Sequence, residues 1–119
     1  MTDVTAAELA ARLEEEALIL LDVRGLAEYT GALGATCDPR QGHIPGARHV
    51  DVTALFGLSP DGVRSLVGAE PGAEVIAYCH SGNRSALAVE MLRAAGYAAR
   101  NYPGSWHEWS RDPALPAEP

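Results

Sequence analysis

Basic residues are scarce in this sequence, and none of them is lysine. Nine arginines stand against 16 acidic residues, which gives the 119-residue chain a formal net charge of −7. A chain with this charge lacks the broad positive surface that nucleic-acid backbones select, so we expect no nucleic-acid partner. An anionic ligand would have to be attracted locally, because the overall field of the protein repels it.

Long apolar stretches and paired cysteines are also missing. The longest apolar run, residues 17–21, is too short to span a bilayer, and no secretory signal follows Met1. The two cysteines, Cys37 and Cys79, do not have the spacing of a disulfide framework. We therefore expect a reduced, cytoplasmic protein that has no membrane contact, no metal and no cofactor.

The length and composition are those of one ordinary globular domain. Hydrophobic residues make up 47% and charged residues 21% of the chain, and a chain of this size buries enough surface to fold without staples. We predict a single stand-alone domain over residues 1–119 with a core at about 4–110. The remaining segment, 111–119, contains three prolines and is predicted to be a loose C-terminal tail.

Four segments have the character of buried strands. Two are continuous apolar runs, 17–23 and 74–79, which suit strands that are covered on both faces. Shorter candidates lie near 48–50 and at 100–102. Strands that alternate with helices predict an α/β fold, here a small parallel β-sheet flanked by helices on both faces.

Helices are predicted between these strands. Thr5 followed by Glu8 forms a capping box that opens a first helix. Segment 59–67 begins with a proline in the first turn, and segment 84–95 stops at a glycine. In the latter helix, three side chains are predicted to face inward: Leu87, Met91 and Leu92.

The segment around Cys79 carries the chemistry. Ligands in such folds collect at the carboxyl ends of the strands, where Arg24 and Cys79 stand. After Cys79 come His80, Ser81, Gly82 and Asn83, and a helix begins at about Arg84. Gly82 permits a sharp bend, so successive amides and the helix N-terminus could cradle a sulfur anion and lower the pKa of the thiol.

This loop, residues 78–85, resembles the active-site loop of the rhodanese sulfurtransferases. Three further motifs follow the family's order: Leu21-Asp22-Val23-Arg24 with Glu28-Tyr29, Gly42-His43-Ile44-Pro45-Gly46-Ala47, and Asn101-Tyr102-Pro103-Gly104-Ser105-Trp106-His107-Glu108-Trp109. The likeness spans about residues 4–110. It is greatest to the catalytic C-terminal half of the thiosulfate and mercaptopyruvate sulfurtransferases.

The resemblance implies a thiosulfate sulfurtransferase that works through a persulfide on Cys79. Thiosulfate would be the anionic sulfur donor, and cyanide, a thiol or a sulfur-accepting protein would be the acceptor. The amides of residues 80–84 would form the cradle, with Arg24 and Arg84 facing the sulfonate end of the donor. The implied substrate-binding residues are Arg24, His80, Ser81, Gly82, Asn83 and Arg84.

Several other matched residues are expected to be structural. Asp22 should orient Arg24, and Glu28 could hold the same arginine by an ion pair. His43 should fix a turn. The two tryptophans, Trp106 and Trp109, should be core residues of a short closing helix. Cys37 is expected to be incidental, with a resolving thiol as the alternative.

Other functions remain open at this point. Only four residues separate Cys79 from Arg84, whereas related phosphatases have five. The shorter loop suits one sulfur atom better than phosphate, so a phosphatase or arsenate reductase is a minor alternative. His80 and Ser81 match neither the thiosulfate nor the mercaptopyruvate pattern, so 3-mercaptopyruvate sulfurtransferase stays an alternative. A persulfide carrier or binding module for a partner protein would use the same loop.

Overall fold

Four short parallel strands form the centre of the computed structural model, which describes residues 2–119. The strands are β1 (Ile19–Asp22), β2 (Arg48–His49), β3 (Glu74–Tyr78) and β4 (Ala98–Asn101). They pair in the order β2-β1-β3-β4, and every pair is parallel. The predicted α/β class with a small parallel sheet is confirmed.

Within residues 2–119, five α-helices and one 3-10 helix lie before, between and after the strands. They are α1 (Ala6–Arg12), α2 (Leu26–Thr30), the 3-10 helix (Val52–Leu55), α3 (Pro60–Val67), α4 (Asn83–Ala94) and α5 (Ser105–Trp109). Helix α2 and the 3-10 helix were not among the elements expected from the sequence. None of the helices within residues 2–119 has the length and apolar character that crossing a bilayer requires.

The helix starts follow local capping rules. Thr5 Oγ1 accepts a hydrogen bond from the amide of Glu8 at 3.1 Å, and Ser59 Oγ accepts one from the amide of Gly62 at 3.1 Å. The predicted capping box at Thr5 is only half formed. Glu8 does not return its carboxylate to the cap but pairs with Arg100, 2.6 Å away, because a full cation is the stronger partner.

Helices cover both faces of the sheet, as predicted. On one face, Leu21 and Ala77 pack with α3, α4 and the 3-10 helix. On the other, Leu20 and Ile76 pack with α1 and α5. Neighbouring strand residues point to opposite faces, so the continuous apolar runs supply two separate cores.

The predicted inward face of α4 was wrong at one position. Leu87 is 47% exposed, and the buried stripe consists of Ser85, Ala88, Val89 and Leu92. These four positions follow the i, i+3, i+4, i+7 spacing of one helix face. Leu87 lies two residues after Ser85, about 200° around the helix, and so falls outside this stripe.

The C-terminal segment 111–119 differs from the loose tail that its prolines predict. The Arg40 guanidinium donates to several carbonyl oxygens at the end of the chain, including that of Leu115 at 2.7 Å. The backbones of His43 and Glu118 exchange two hydrogen bonds of 2.7 and 2.9 Å. A single arginine with five donors can gather carbonyls that no helix or strand satisfies, and it holds this segment on the domain.

Candidate active site

Cys79 stands at the carboxyl end of β3 and is the centre of the site. Its side chain is buried, with the residue only 1% exposed. The Sγ atom lies 3.1 Å from the amide nitrogen of Gly82 and 3.4 Å from that of Ser85. The Ser85 hydroxyl oxygen lies 3.3 Å from the same sulfur. Two backbone donors and one hydroxyl therefore converge on the thiol.

The bend at Gly82 creates this convergence. Gly82 has a φ of 94°, in the left-handed region that favours glycine. A Cβ atom at this position would lie 2.7 Å from the carbonyl oxygen of Pro103. Helix α5 also holds the loop, since the amides of Trp106 and His107 donate hydrogen bonds of 2.9 Å to the carbonyl oxygens of Cys79 and His80.

The environment of Cys79 favours the thiolate. Burial by itself would raise the pKa of the thiol, because a charge is less stable away from water. The Ser85 hydroxyl and the amides of Ser85, Gly82 and Ser81 outweigh burial and lower the pKa below the ordinary value of cysteine. The lowered pKa increases the thiolate fraction at a given pH, and the thiolate is the nucleophilic form of cysteine.

Arg84 lies at the end of the same loop, and its side chain is partly exposed to solvent. Its guanidinium forms two hydrogen bonds to Glu28, of 2.9 and 3.1 Å. The arginine side chain is 39% and that of Glu28 27% exposed. The prediction that Glu28 holds Arg24 was wrong, because α2 presents Glu28 to the active-site loop instead.

Arg24 is placed differently from the donor-facing cation that the sequence suggests. It is 1% exposed, and its Nη2 atom lies 2.7 Å from Asp22 Oδ2 and 2.5 Å from the carbonyl oxygen of Gly42. The expected orientation of Arg24 by Asp22 is confirmed. The guanidinium is therefore occupied by the protein itself and lies over the ring of Trp106, 5.1 Å from its centre.

Among the predicted cradle amides of residues 80–84, those of Gly82 and Ser81 act on the Cys79 thiol. Ser81 and Asn83 are exposed, and Gly82 is buried. The His80 ring points to Asp38, with Nε2 at 2.9 Å from Oδ2. His80 is thus next to Cys79 in the chain, while its side chain pairs with Asp38 and lies outside the cradle.

Two serines complete the site without having been assigned roles from the sequence. Ser85 supplies both an amide and a hydroxyl to the sulfur, and its position one turn after Gly82 could have indicated this. Ser105 Oγ accepts the amide of Cys79 at 3.1 Å and lies 4.0 Å from Sγ. Ser105 has a φ of 55°, a strained conformation of the kind that is kept at functional sites.

Other matched residues have structural roles, as expected. His43 Nδ1 lies 2.8 Å from the carbonyl oxygen of Tyr29 and so fixes the turn that follows α2. Trp106 and Trp109 of α5 are both fully buried. Cys37 is a free, exposed thiol.

Comparison with known proteins agrees with this geometry. The profile of the "Rhodanese-like domain" family matches residues 5–112. A probable 3-mercaptopyruvate sulfurtransferase of Pseudomonas aeruginosa is 36% identical, over 95% of this chain and 43% of the relative. A thiosulfate sulfurtransferase of the same organism is 32% identical, over 92% of this chain and 43% of the relative.

A solved structure supports the same assignment. The crystal structure of a probable thiosulfate sulfurtransferase superimposes with a TM-score of 0.85 at 44% identity, over 98% of this chain and 47% of that one. The chain thus spans less than half the length of the relatives it matches. The order of the strands, the cysteine loop and the family match lead to one conclusion: this chain belongs to the rhodanese-like domain family.

Proposed function

We propose that the protein is a thiosulfate sulfurtransferase in which Cys79 carries the transferred sulfur. The Cys79 thiolate attacks the outer sulfur of thiosulfate, and a new S–S bond forms. The S–S bond of the donor breaks, and sulfite leaves with its electron pair. The product on the protein is a persulfide whose outer sulfur carries the negative charge.

The cradle around Cys79 is the observation that carries this proposal. Its amides lie 3.1 and 3.4 Å from Sγ and are fixed before any donor arrives. Preorganised donors of this kind stabilise developing negative charge without reorganisation. They would favour both the attacking thiolate and the persulfide anion that replaces it.

Arg84 is the cation that we assign to the sulfonate end of the donor. It lies at the end of the cradle, and its side chain is 39% exposed, so an anion can reach it. A planar guanidinium suits the oxygens of a sulfonate. Arg24 is assigned a supporting role, because it is only 1% exposed and because Asp22 and the Gly42 carbonyl occupy its Nε and Nη2 donors.

The second half-reaction returns the enzyme to its starting state. A thiophilic acceptor, cyanide in an assay or a thiol, attacks the outer sulfur of the Cys79 persulfide. The S–S bond breaks towards Cys79, which leaves as a thiolate and is again stabilised by the cradle. Two separate half-reactions on one nucleophile predict ping-pong kinetics.

A second donor is 3-mercaptopyruvate, and one observation favours it. A relative that is 36% identical is named a probable 3-mercaptopyruvate sulfurtransferase. The same thiolate would attack its sulfur, the C–S bond of the donor would break, and the electron pair would leave on the enolate of pyruvate, which then takes up a proton. The two donors share the Cys79 step and differ in the anionic group, a sulfonate or a carboxylate, that Arg84 would meet.

The test is the intact mass of the purified, unreduced protein after each donor. We expect a gain of one sulfur atom with thiosulfate and its removal by cyanide. Cys79→Ser should gain nothing, whereas Cys37→Ser, which removes the other thiol, should gain the sulfur as the parent protein does. A gain with mercaptopyruvate alone would favour the second donor.

The same experiment can contradict the proposal. A sulfur gain that Cys79→Ser retains would remove Cys79 from its assigned role. If neither small donor loads the protein but a protein persulfide does, the chain is a sulfur carrier.

A further inference from the structure

A second group of reactive side chains lies outside the sulfur cradle. It consists of a thiol, a carboxylate and two imidazoles: Cys37, Asp38, His80 and His107. One donor atom of each residue lies within 4.8 Å of those of the other three. They come from three segments, namely the loop before β2, the active-site loop and α5, so only the tertiary fold brings them together.

The distances show that the four groups converge on Asp38. Its Oδ2 atom lies 2.9 Å from His80 Nε2, and its Oδ1 atom lies 3.8 Å from His107 Nδ1. Cys37 Sγ lies 3.9 Å from the same Oδ1. The carboxylate is 1% exposed, while the His107 side chain is 50% exposed and Cys37 is exposed. The group therefore has a buried carboxylate on its inner side and exposed side chains on its solvent side.

We propose that these four side chains bind one zinc ion. Ligands of a tetrahedral zinc site lie about 3.3–3.8 Å from one another, as follows from Zn–S and Zn–N distances of about 2.3 and 2.0 Å. The separations within the group, from 2.9 Å to at most 4.8 Å, lie on both sides of this range, so side-chain rotations would complete the site. A thiolate with two imidazoles selects zinc over the hard cations Mg²⁺ and Ca²⁺, which prefer oxygen ligands.

Arg111 holds two of the proposed ligand residues in place. It donates to Asp38 Oδ1 at 2.9 Å and to the carbonyl oxygen of Cys37 at 2.8 Å. Ligating carboxylates are commonly held by an outer hydrogen bond of this kind. With Cys37 as a thiolate and Asp38 ionised, the two ligand charges balance those of Zn²⁺. Coordination changes no oxidation state, and the proton of the Cys37 thiol passes to solvent.

The position of the site suggests a structural effect on the active-site loop. His80 is the residue after Cys79, and its carbonyl accepts the amide of His107 at 2.9 Å. An ion shared by His80, His107 and Cys37 would join the three segments beside the nucleophile without occupying the cradle. The inference does not depend on the proposed sulfur transfer, because none of the four ligands is Cys79.

The test titrates Zn²⁺ into chelator-stripped protein in competition with a chromogenic chelator. The Cys79→Ser variant is the reference, so that the catalytic thiol cannot bind the metal. We expect one zinc per chain, and we expect a second substitution of Cys37→Ser or His107→Ala to weaken binding at least tenfold. Both side chains are largely exposed, so circular dichroism should show the fold unchanged. His49→Ala in the same background removes a histidine outside the group and should leave zinc binding unchanged.

Co²⁺ in place of zinc identifies the ligands. Cobalt-loaded Cys79→Ser should show thiolate-to-cobalt absorption, and the additional Cys37→Ser substitution should abolish it. The proposal is overturned if no stoichiometric metal binds, or if the absorption and affinity survive loss of Cys37 and His107.

Discussion

Strands β1 and β3 lie side by side, and each is followed by a polar segment that contains an arginine. At the end of β1, Arg24 is 1% exposed and pairs with Asp22, which is fully buried. At the end of β3, Cys79 is held by amides, and Arg84 keeps 39% of its side chain exposed. The arginine after one strand end has become part of the core, and the arginine after the other keeps its guanidinium partly exposed to solvent.

The two arginines differ in how much the free energy of unfolding should fall when an ion pair is broken. Burial by itself would lower the pKa of Arg24, and the hydrogen bonds and charge of Asp22 outweigh it, so the pKa is raised. Tyr78 donates to the same carboxylate at 2.9 Å and accepts the amide of Ile44 at 3.0 Å. A buried network of this kind stabilises the fold and uses the Nε and Nη2 donors of Arg24 within the protein. Arg84 has Glu28 as its partner and is also exposed to water, so its guanidinium remains accessible to a ligand.

The sharpest test of this comparison is stability. Arg24→Met would leave the Asp22 carboxylate buried without its cation, and we expect the free energy of unfolding to fall by about 3–5 kcal/mol. Arg84→Met breaks a solvent-accessible pair and should cost less than about 1 kcal/mol. Urea denaturation measures both.

The double variant Asp22→Asn/Arg24→Met separates charge from packing. It should recover part of the stability, because no unpaired charge remains. Equal losses for the two arginines would contradict the distinction between the strand ends.

The next largest effect is expected at the bend of the cradle. Gly82→Ala places a Cβ 2.7 Å from the Pro103 carbonyl oxygen, in addition to the unfavourable φ of 94°. Gly46→Ala is the matched control, because its φ is 86° and nothing lies within 4 Å of the added atom. The control should lose about 1–2 kcal/mol from the left-handed conformation alone, and Gly82→Ala should lose more.

Sulfur loading after thiosulfate should distinguish the same two variants. Gly82→Ala should load more slowly, because the amides that face Cys79 move with the loop. Loss of loading in Gly46→Ala as well would mean that general destabilisation is responsible.

A smaller effect is expected on donor binding. Arg84→Met should raise the KM for thiosulfate about tenfold, equivalent to about 1.4 kcal/mol, and leave transfer from the preformed persulfide to cyanide nearly unchanged. Arg93→Met is the control, since its side chain is on the same helix and is also 39% exposed. Single-turnover kinetics of each half-reaction make the measurement. Equal slowing of both halves by Arg84→Met would show that this residue only shapes the loop.

The smallest effect concerns pH. The thiolate is the reactive form, so loading should fall as the pH falls through the lowered pKa of Cys79. Ser85→Ala removes one hydrogen bond to the sulfur, so the pKa should rise and the loss should begin at higher pH. Loading by the variant should therefore fall furthest below that of the parent protein at the acidic end of the profile and match it at the alkaline end.

The control for pH is Ser110→Ala, which removes the hydroxyl of another buried serine far from the sulfur in sequence. Its pH profile should match that of the parent protein. An unchanged profile for Ser85→Ala would contradict the role of the hydroxyl in stabilising the thiolate.

Elements with strong local signals were predictable, whereas contacts between distant segments were not. The apolar runs of β1 and β3 and the glycine after α4 predicted the main elements, because these signals act over a few residues. Helix α2 was missed because it has only five residues and no buried side chain. The ordered segment 111–119 was missed because it depends on Arg40, about 70 residues earlier.

The candidate site divides in the same way. Cys79, Gly82 and Arg84 could be selected from one eight-residue segment, since strand end, bend and helix start are consecutive. Ser85 could have been found from its helical spacing. Asp38 could not, because its partners His80 and Arg111 are 42 and 73 residues away in the chain.

The sequence by itself determined the alternating α/β order, the two-sided core and the presence of the cysteine loop. It also determined that the chain has too few basic residues to attract anions by its overall charge. Tertiary structure alone decided which arginine remains available. Glu28 could equally have paired with Arg24, four residues away, but Asp22 and the Gly42 carbonyl hold that guanidinium, and α2 turns Glu28 to Arg84, 56 residues away. Charge and hydrogen-bond donors are properties of a residue, whereas burial and partners arise only when distant segments pack.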